Sequence, residues 1–245
     1  EIYVIFPCYN EEEGLEKLLQ RFGRLEKFMG RKFRLVVVND GSADHTVHVA
    51  RSFADEVSMH LIDFPVNRGV AAVFNTAFDH VLRVSREGDV IVTIDSDNTM
   101  NPYVILDMVD RINTCDVVIA SRFVKGGKMV GAGYRALMSH VASWLMRWRV
   151  GIPGVRDYSI FYRAYRREAL RAVFEQFAGE PVAGAGFSCM ANLLVRMVEG
   201  NPALRIREVP LTLRYDLKES GSAVRIPRTI WGYLKLAFGG GRGKR

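Results

Sequence analysis

Val90-Ile91-Val92-Thr93-Ile94-Asp95-Ser96-Asp97 is the stretch that decides the fold. A short apolar run that stops at two carboxylates reads as a buried strand with a polar cluster at its carboxyl end. The pattern recurs along the first half of the chain. Ile2 to Phe6 is an apolar run that stops at Pro7 and is followed by Tyr9-Asn10-Glu11. Arg34 to Val38 runs into Asn39-Asp40-Gly41-Ser42, and Val117 to Ala120 into Ser121-Arg122. A further strand is expected from Val57 to Ile62. Helical patterns separate these runs. Leu15, Leu18, Leu19, Phe22 and Leu25 keep a helical period behind Glu11, Glu12 and Glu13, which suit a first turn. Helices are also expected from Ala43 to Ala54, Gly69 to Val84 and Tyr103 to Ile112.

Strands alternating with helices imply an α/β fold, a mostly parallel central sheet with helices on both faces. Ligands of such sheets bind beyond the carboxyl ends of the strands. The polar clusters all fall at those ends, which places a nucleotide site in the first half. The alternation stops near residue 122. A loop, an amphipathic helix, a short strand-like stretch and further helices follow. There is no internal repeat and no Ser/Pro linker, so one domain over 1–245 is expected.

Apolar residues make up 49% of the 245, enough for a large core and against global disorder. The net charge of +7 suits anionic partners, although basic charge of this size also occurs without a special role. Cys8, Cys115 and Cys189 are odd in number and far apart, so neither a zinc nor a disulfide framework follows and a reducing compartment fits. No uncharged apolar stretch reaches the roughly 18 residues of a membrane span. The longest candidate, Pro181 to Val195, is broken by Gly, Ser, Asn and Cys and reads as a buried helix. No nucleic-acid-binding motif or concentrated basic stripe occurs, which argues against a specific nucleic-acid reader.

Asp95 and Asp97, two residues apart past a buried strand, can jointly hold a hard divalent cation such as Mg²⁺ or Mn²⁺. The same triplet can instead be a turn in which aspartates cap backbone amides. Asp40 can accept hydrogen bonds from a nucleotide, or belong to an ordinary helix-entry turn with Asp44 as N-cap. Asn67-Arg68-Gly69 precedes a helix whose N-terminus can attract anions. Arg122, Arg135, Arg214 and Lys218 lie outside the helical faces. They read either as phosphate ligands or as solvated surface cations.

The ordered set resembles the family-2 glycosyltransferases, in particular the dolichol-phosphate mannose synthase and polyprenyl-phosphate branch, from about Ile2 to Phe238. Val4-Ile5-Phe6-Pro7-Cys8-Tyr9-Asn10-Glu11-Glu12 resembles the opening strand and nucleotide loop. Val37-Val38-Asn39-Asp40-Gly41-Ser42-Ala43-Asp44 resembles the second motif, with Asn39 where Asp is usual. Asn67-Arg68-Gly69-Val70-Ala71-Ala72 is similar to the glycine-containing stretch that follows. Asp95-Ser96-Asp97 stands at the metal-binding pair, Ser121-Arg122-Phe123 at a donor-phosphate arginine, and Arg135 at a further arginine. Asp157-Tyr158-Ser159 with Arg163 resembles the acceptor-side motif. Glu208-Val209-Pro210 and Leu213-Arg214-Tyr215-Asp216-Leu217-Lys218 resemble the closing motif.

The resemblance implies a GT-A, Rossmann-like fold. A nucleotide-sugar half would span 1–122, an acceptor half 123–225, and an amphipathic segment with a basic tail 226–245. It implies a donor site of Pro7, Tyr9, Asn10, Glu11, Asp40, Asn67, Arg68, Asp95, Ser96, Arg122, Arg135, Arg214 and Lys218. Asp95 and Asp97 would hold Mg²⁺ or Mn²⁺. Arg135, Asp157, Ser159, Arg163 and Ser222 would serve the acceptor, and Asp97, Arg122 and Asp157 would carry the chemistry. The chain departs from the pattern at Thr99, where a Gln or Ser often helps the metal site, at Ile160-Phe161, at Asn192, which falls near an acidic position, and at Ala223.

The implied activity is inverting transfer of a sugar, with mannose favoured, from a nucleotide-sugar to a polyprenyl or dolichyl phosphate. The alternative is a hydroxyl acceptor on a soluble or polymeric molecule, a polysaccharide or nucleic acid. A hydroxyl needs a general base, for which Asp157 is the candidate. A phosphate monoester, with a second pKa near 6, needs none, and Asp157 would then orient Arg163 or a loop.

Leu137, Val141, Trp144, Leu145 and Trp148 share one helical face flanked by Arg135, Arg147 and Arg149. That face suits either a headgroup region or the core. A second amphipathic segment runs from Ile226 to Phe238 with Arg225, Arg228 and Lys235. The resemblance implies peripheral attachment to the cytoplasmic side of a membrane, with a membrane-anchoring subunit as a possible partner, or a cytoplasmic protein.

Overall fold

The computed structural model describes residues 1–184, 186, 188–218 and 231–234, without the side chains of Tyr134 and Arg135. In chain order the elements are β1 (Ile2–Cys8), α1 (Glu12–Met29), β2 (Arg34–Asp40), α2 (Thr46–Ser52), β3 (Met59–Phe64), α3 (Val70–Val84), β4 (Val90–Thr93) and α4 (Val104–Ile112). There follow β5 (Val117–Ser121), β6 (Lys128–Val130), α5 (Tyr134–Arg149), β7 (Arg163–Arg166), α6 (Arg167–Gln176), α7 (Ser188–Gly200), β8 (Ile206–Pro210) and β9 (Thr212–Arg214). A 3₁₀ turn, Tyr215–Leu217, comes after β9.

Seven strands form the central sheet in the order β3-β2-β1-β4-β7-β5-β8. All pairings are parallel except those of β7, which runs antiparallel to both β4 and β5. β6 and β9 make a separate parallel pair. The α/β, mostly parallel architecture expected from the alternation is present. β1, β4 and β5 are almost wholly buried because helices cover both faces, which is why they read as unbroken apolar runs. The helical period of α1 buries Leu15, Leu18, Leu19, Phe22 and Leu25. Phe22 meets Phe6 and Phe33 edge-on, with ring centroids 5.2 and 5.4 Å away. Gly30, at φ 61°, ends α1 in the left-handed conformation that favours glycine.

Several boundaries differ from the sequence reading. The second helix begins at Thr46, because Asp44 accepts the Thr46 amide and hydroxyl and holds the preceding residues in a turn. The third strand is shifted to Met59–Phe64 by its pairing with Leu35–Asp40. The Pro181–Val195 run becomes α7 only from Ser188, after Gly184 and Gly186 with φ of 103° and 56°. Leu137, Val141, Trp144 and Trp148 of α5 are exposed, whereas Leu145 turns partly inward beside buried Met146. No helix among the described residues is long and apolar enough to cross a membrane.

Candidate active site

The loop after β4 carries Asp95, Ser96 and Asp97, and three contacts fix it. Ser96 is buried and its hydroxyl donates to the Pro7 carbonyl at 2.8 Å, tying the loop to β1. Asp97 Oδ1 accepts from the Thr99 hydroxyl at 2.6 Å and from the Thr99 amide at 3.1 Å. The first turn of α1 presses on the same loop, where a Cβ on Gly14 would lie 2.8 Å from both Asp97 Cα and the Ser96 carbonyl oxygen. Only glycine permits that approach.

Asp95 and Asp97 thus sit side by side at the carboxyl edge of the sheet. Burial, and then the neighbouring charge of Asp97, pushes the Asp95 carboxyl well above the usual carboxylate range. Asp95 accepts no hydrogen bond from the described residues. Lys218 reaches in from beyond β9, with Nζ 2.7 Å from Asp97 Oδ2 and 3.6 Å from Glu11 Oε1. Burial alone would lower the Lys218 pKa, but the charges of Asp97 and Glu11 outweigh it and hold the pKa above its ordinary value.

A cradle of backbone and side chains surrounds this cluster. Asn10, at φ 54°, accepts from the Ala43 amide through Oδ1 and donates its own amide to Ser42 Oγ. The Glu11 amide donates to Thr46 Oγ1. Glu12 and Asp44 exchange bonds between the starts of α1 and α2: the Glu12 amide donates to Asp44 and the His45 amide to Glu12. Asp40 Oδ1 and Oδ2 accept from the amides of Arg68 and Gly69 at 2.6 and 3.0 Å. Burial raises the Asp40 pKa more than those two amides lower it. Asp40 therefore shapes the Asn67-Arg68-Gly69 loop. Arg68 lies over the Phe64 ring and Asn67 is exposed. Gly41, at φ 69°, lets the Val66–Asn67 backbone pass where a Cβ would lie 2.5 Å from Val66 C.

The acceptor-side residues are arranged differently from the sequence expectation. Arg122 and Asp157 form a buried two-pronged ion pair, Nε to Oδ2 at 2.7 Å and Nη2 to Oδ1 at 2.6 Å. Arg122 also donates to Ser159 Oγ and Ser139 Oγ. Burial would raise the Asp157 carboxyl, yet the Arg122 charge and hydrogen bonds hold it below the usual range. Asp157 is engaged by this pair: it orients Arg122 and, through the Arg122 amide at 3.1 Å, the loop after β5, as the loop alternative expected, but it does not orient Arg163. Arg163 is fully buried and donates to the Met190 and Tyr158 carbonyls. Arg214 is engaged with Asp216 at 2.6 Å on the surface, apart from the carboxylates. Ser96 faces β1 rather than the cleft. Tyr9 is half-exposed beside the cradle. Arg135 lies in α5 with its side chain outside the description, and Ser222, Ala223 and 226–230 lie outside the described residues. A helical turn at 231–234 buries Tyr233 near Arg122 and Asp157.

Gly14 and Thr46 support the site and were not assigned to it from the sequence, and Thr99 does so although it departs from the residue usual there. Thr99 two residues after Asp97 was the available signal, since a hydroxyl at that spacing can reach back to the carboxylate. A cavity of about 590 Å³ is lined by Lys125, Arg147, Arg156 and Glu208 among others, and neither Asp95 nor Asp97 lines it.

Two hard carboxylates suit Mg²⁺ or Mn²⁺. No cluster of three His, Cys, Asp or Glu able to hold a metal occurs among the described residues. That donor set fits a cation that takes its remaining oxygens from a diphosphate and water rather than from a protein cage.

Residues 3–174 match the family model described as glycosyl transferase family 2. The chain belongs to glycosyl transferase family 2. This family-2 chain is 30% identical over 244 residues to a dolichol-phosphate mannosyltransferase of Pyrococcus furiosus, covering 97% of the chain and 63% of that protein. It is 32% identical over 230 residues to a polyprenol monophosphomannose synthase of Mycolicibacterium smegmatis, covering 91% and 82%. It is 31% identical over 241 residues to an undecaprenyl-phosphate mannosyltransferase of Micrococcus luteus, covering 94% and 93%. The chain thus spans less than two thirds of the Pyrococcus protein's length. Among solved structures it resembles glucosyl-3-phosphoglycerate synthase of Mycobacterium tuberculosis in complex with Mn²⁺ and UDP-glucose. The TM-score is 0.66 at 18% identity, covering 96% of this chain and 76% of that one. The fold is GT-A.

Proposed function

We propose that the chain transfers a sugar, with mannose favoured, from a nucleotide-sugar to a polyprenyl phosphate with inversion at the anomeric carbon. The observation that carries the choice of acceptor is the buried Arg122–Asp157 pair. It engages Asp157, the acceptor-side carboxylate that the sequence offered as a base for a hydroxyl. A phosphate monoester is already largely ionised at neutral pH and requires no such base. The relatives named for dolichol-phosphate, polyprenol and undecaprenyl-phosphate mannosyl transfer support the same acceptor class and the same sugar.

Asp95 and Asp97 would hold Mg²⁺ or Mn²⁺, whose charge offsets that developing on the leaving diphosphate. Thr99 and Ser96 orient the two carboxylates before any ligand arrives. Asn10, Glu11 and the loop shaped by Asp40 wall the nucleotide side. Arg122, fixed by Asp157 and Ser159, adds positive potential behind the reacting centre. Asp95 feels that charge.

The membrane is the partner surface in this reading. Trp144 and Trp148 stack in parallel on the exposed face of α5, with Arg149 over the Trp148 ring, and Trp231 is also exposed. Tryptophan next to arginine suits the headgroup layer, so α5 would lie on the cytoplasmic leaflet, alone or beside an anchoring subunit.

The test is a panel of radiolabelled nucleotide-sugars offered with polyprenyl phosphate or with the corresponding polyprenol, in Mg²⁺ or Mn²⁺. Transfer to the phosphate and not to the alcohol is expected. Equal or faster transfer to the alcohol would overturn the reading.

A further inference from the structure

Lys218 stands in an unusual place for a lysine. Its side chain is only 15% exposed, and its ammonium lies 2.7 Å from Asp97 Oδ2 and 3.6 Å from Glu11 Oε1. The position is built, not incidental. β9 is hydrogen-bonded to β6. At its end the Arg214 amide donates to the Thr99 carbonyl at 2.9 Å, so β9 is tied to the loop that carries Asp97. The 3₁₀ turn Tyr215–Leu217 then delivers Lys218, whose own amide donates back to the Tyr215 carbonyl. Gly131, at φ 68°, accommodates this turn, since a Cβ there would lie 2.9 Å from the Asp216 amide nitrogen.

Lys218 offsets part of the negative charge gathered at this point. Glu11, Asp95 and Asp97 bring three carboxylates to one sheet edge, and Asp95 feels both of the others and Lys218. A divalent cation on Asp97 would face an ammonium already bonded to the same carboxylate. Two cations on one oxygen repel strongly in a partly buried setting. A diphosphate changes that balance, because its oxygens can accept the ammonium as soon as the cation takes Asp97.

We infer that Lys218 is an internal counter-cation for Asp97, which exchanges its place for the divalent ion and transfers its hydrogen bonds to the donor diphosphate. The inference rests on the reading of Asp97 as a metal ligand. It goes beyond that reading by making the cation and the nucleotide bind as a unit. With Lys218 in place, metal alone binds poorly. With nucleotide present, Lys218 helps to hold the complex.

The test is Mn²⁺ binding followed by electron paramagnetic resonance, which reports free and bound ion without requiring turnover. Wild type, Lys218→Met and Lys218→Arg are titrated with Mn²⁺ alone and with Mn²⁺ plus GDP or UDP, and thermal unfolding verifies that each variant is folded. Lys218→Met should bind Mn²⁺ alone about tenfold more tightly than wild type and lose about tenfold in nucleotide-dependent Mn²⁺ affinity, within the usual range of coupling between two sites. Lys218→Arg, which keeps the charge, should stay near wild type. Unchanged or weaker Mn²⁺ affinity of folded Lys218→Met without nucleotide would overturn the exchange while leaving the metal reading standing. Failure of wild type to bind Mn²⁺ even with nucleotide would remove both.

Discussion

The guanidinium of Arg122 and the carboxylate of Asp157 face each other through two parallel hydrogen bonds of 2.6 and 2.7 Å, buried beneath the loop that follows β5. Removing one partner of such a pair leaves a buried charge without compensation, which costs about 3–5 kcal/mol. Arg122→Met and Asp157→Asn are each expected to lower stability by roughly that amount, measured by urea denaturation. If Asp157→Asn instead lost activity at full stability, the base role would have to be restored.

Loss of Asp95 or Asp97 should act on turnover. Asp97→Asn and Asp95→Asn are expected to reduce kcat by about 10²–10³-fold, the range for losing one preorganised stabiliser of developing charge. Steady-state transfer assays across a Mn²⁺ series measure this, with circular dichroism verifying that each variant is folded.

Gly14→Ala sets two effects against each other. Alanine gains about 1 kcal/mol of helix propensity, but its methyl would meet the Asp97 backbone at 2.8 Å. Overpacking of that kind costs about 1–3 kcal/mol, so the variant should be less stable and should displace the carboxylate loop. Thermal unfolding together with a raised KM for the donor would register both.

His60 and His80 stack with ring centroids 4.0 Å apart and an interplanar angle of 4°. Burial, and then the charge of His60, lowers the His80 pKa below its ordinary value near 6.5. A depressed histidine binds its proton more readily when unfolded. Its stabilising contribution is therefore complete above about pH 6.5 and is lost as pH falls through the lower folded value. Melting temperatures of wild type should decline across that window, and His80→Gln should flatten the decline.

Trp144→Glu with Trp148→Glu should abolish sedimentation with anionic vesicles. At about 25 cal/mol per Å² of apolar surface buried, partial burial of both rings implies a loss of about 100-fold or more in partitioning. Both side chains are exposed, so the fold should survive, as circular dichroism would report.

The strands that carry the donor side were readable because double-sided burial leaves uninterrupted apolar runs, as at Val90–Thr93 and Val117–Ser121. Asp95 and Asp97 were readable because they end such a run. Arg163–Arg166 was not readable as a central strand. Its four residues Arg-Ala-Tyr-Arg begin and end in arginine, and nothing in their order announces antiparallel insertion between β4 and β5. The partners of Arg122, Arg163 and Lys218 also escaped the sequence. Whether an arginine grips a ligand, a carboxylate or a carbonyl depends on contacts made across tens of residues.

The insertion of β7 also bears on the order in which the molecule can be assembled. In the central sheet, β5 pairs only with β7 and β8, both of which follow it in the chain. During synthesis Val117–Ser121 leaves the ribosome with neither edge hydrogen-bonded, and it stays so until residue 163 and beyond have emerged. Expression of residues 1–122 alone would yield an open-edged, association-prone sheet rather than half an enzyme.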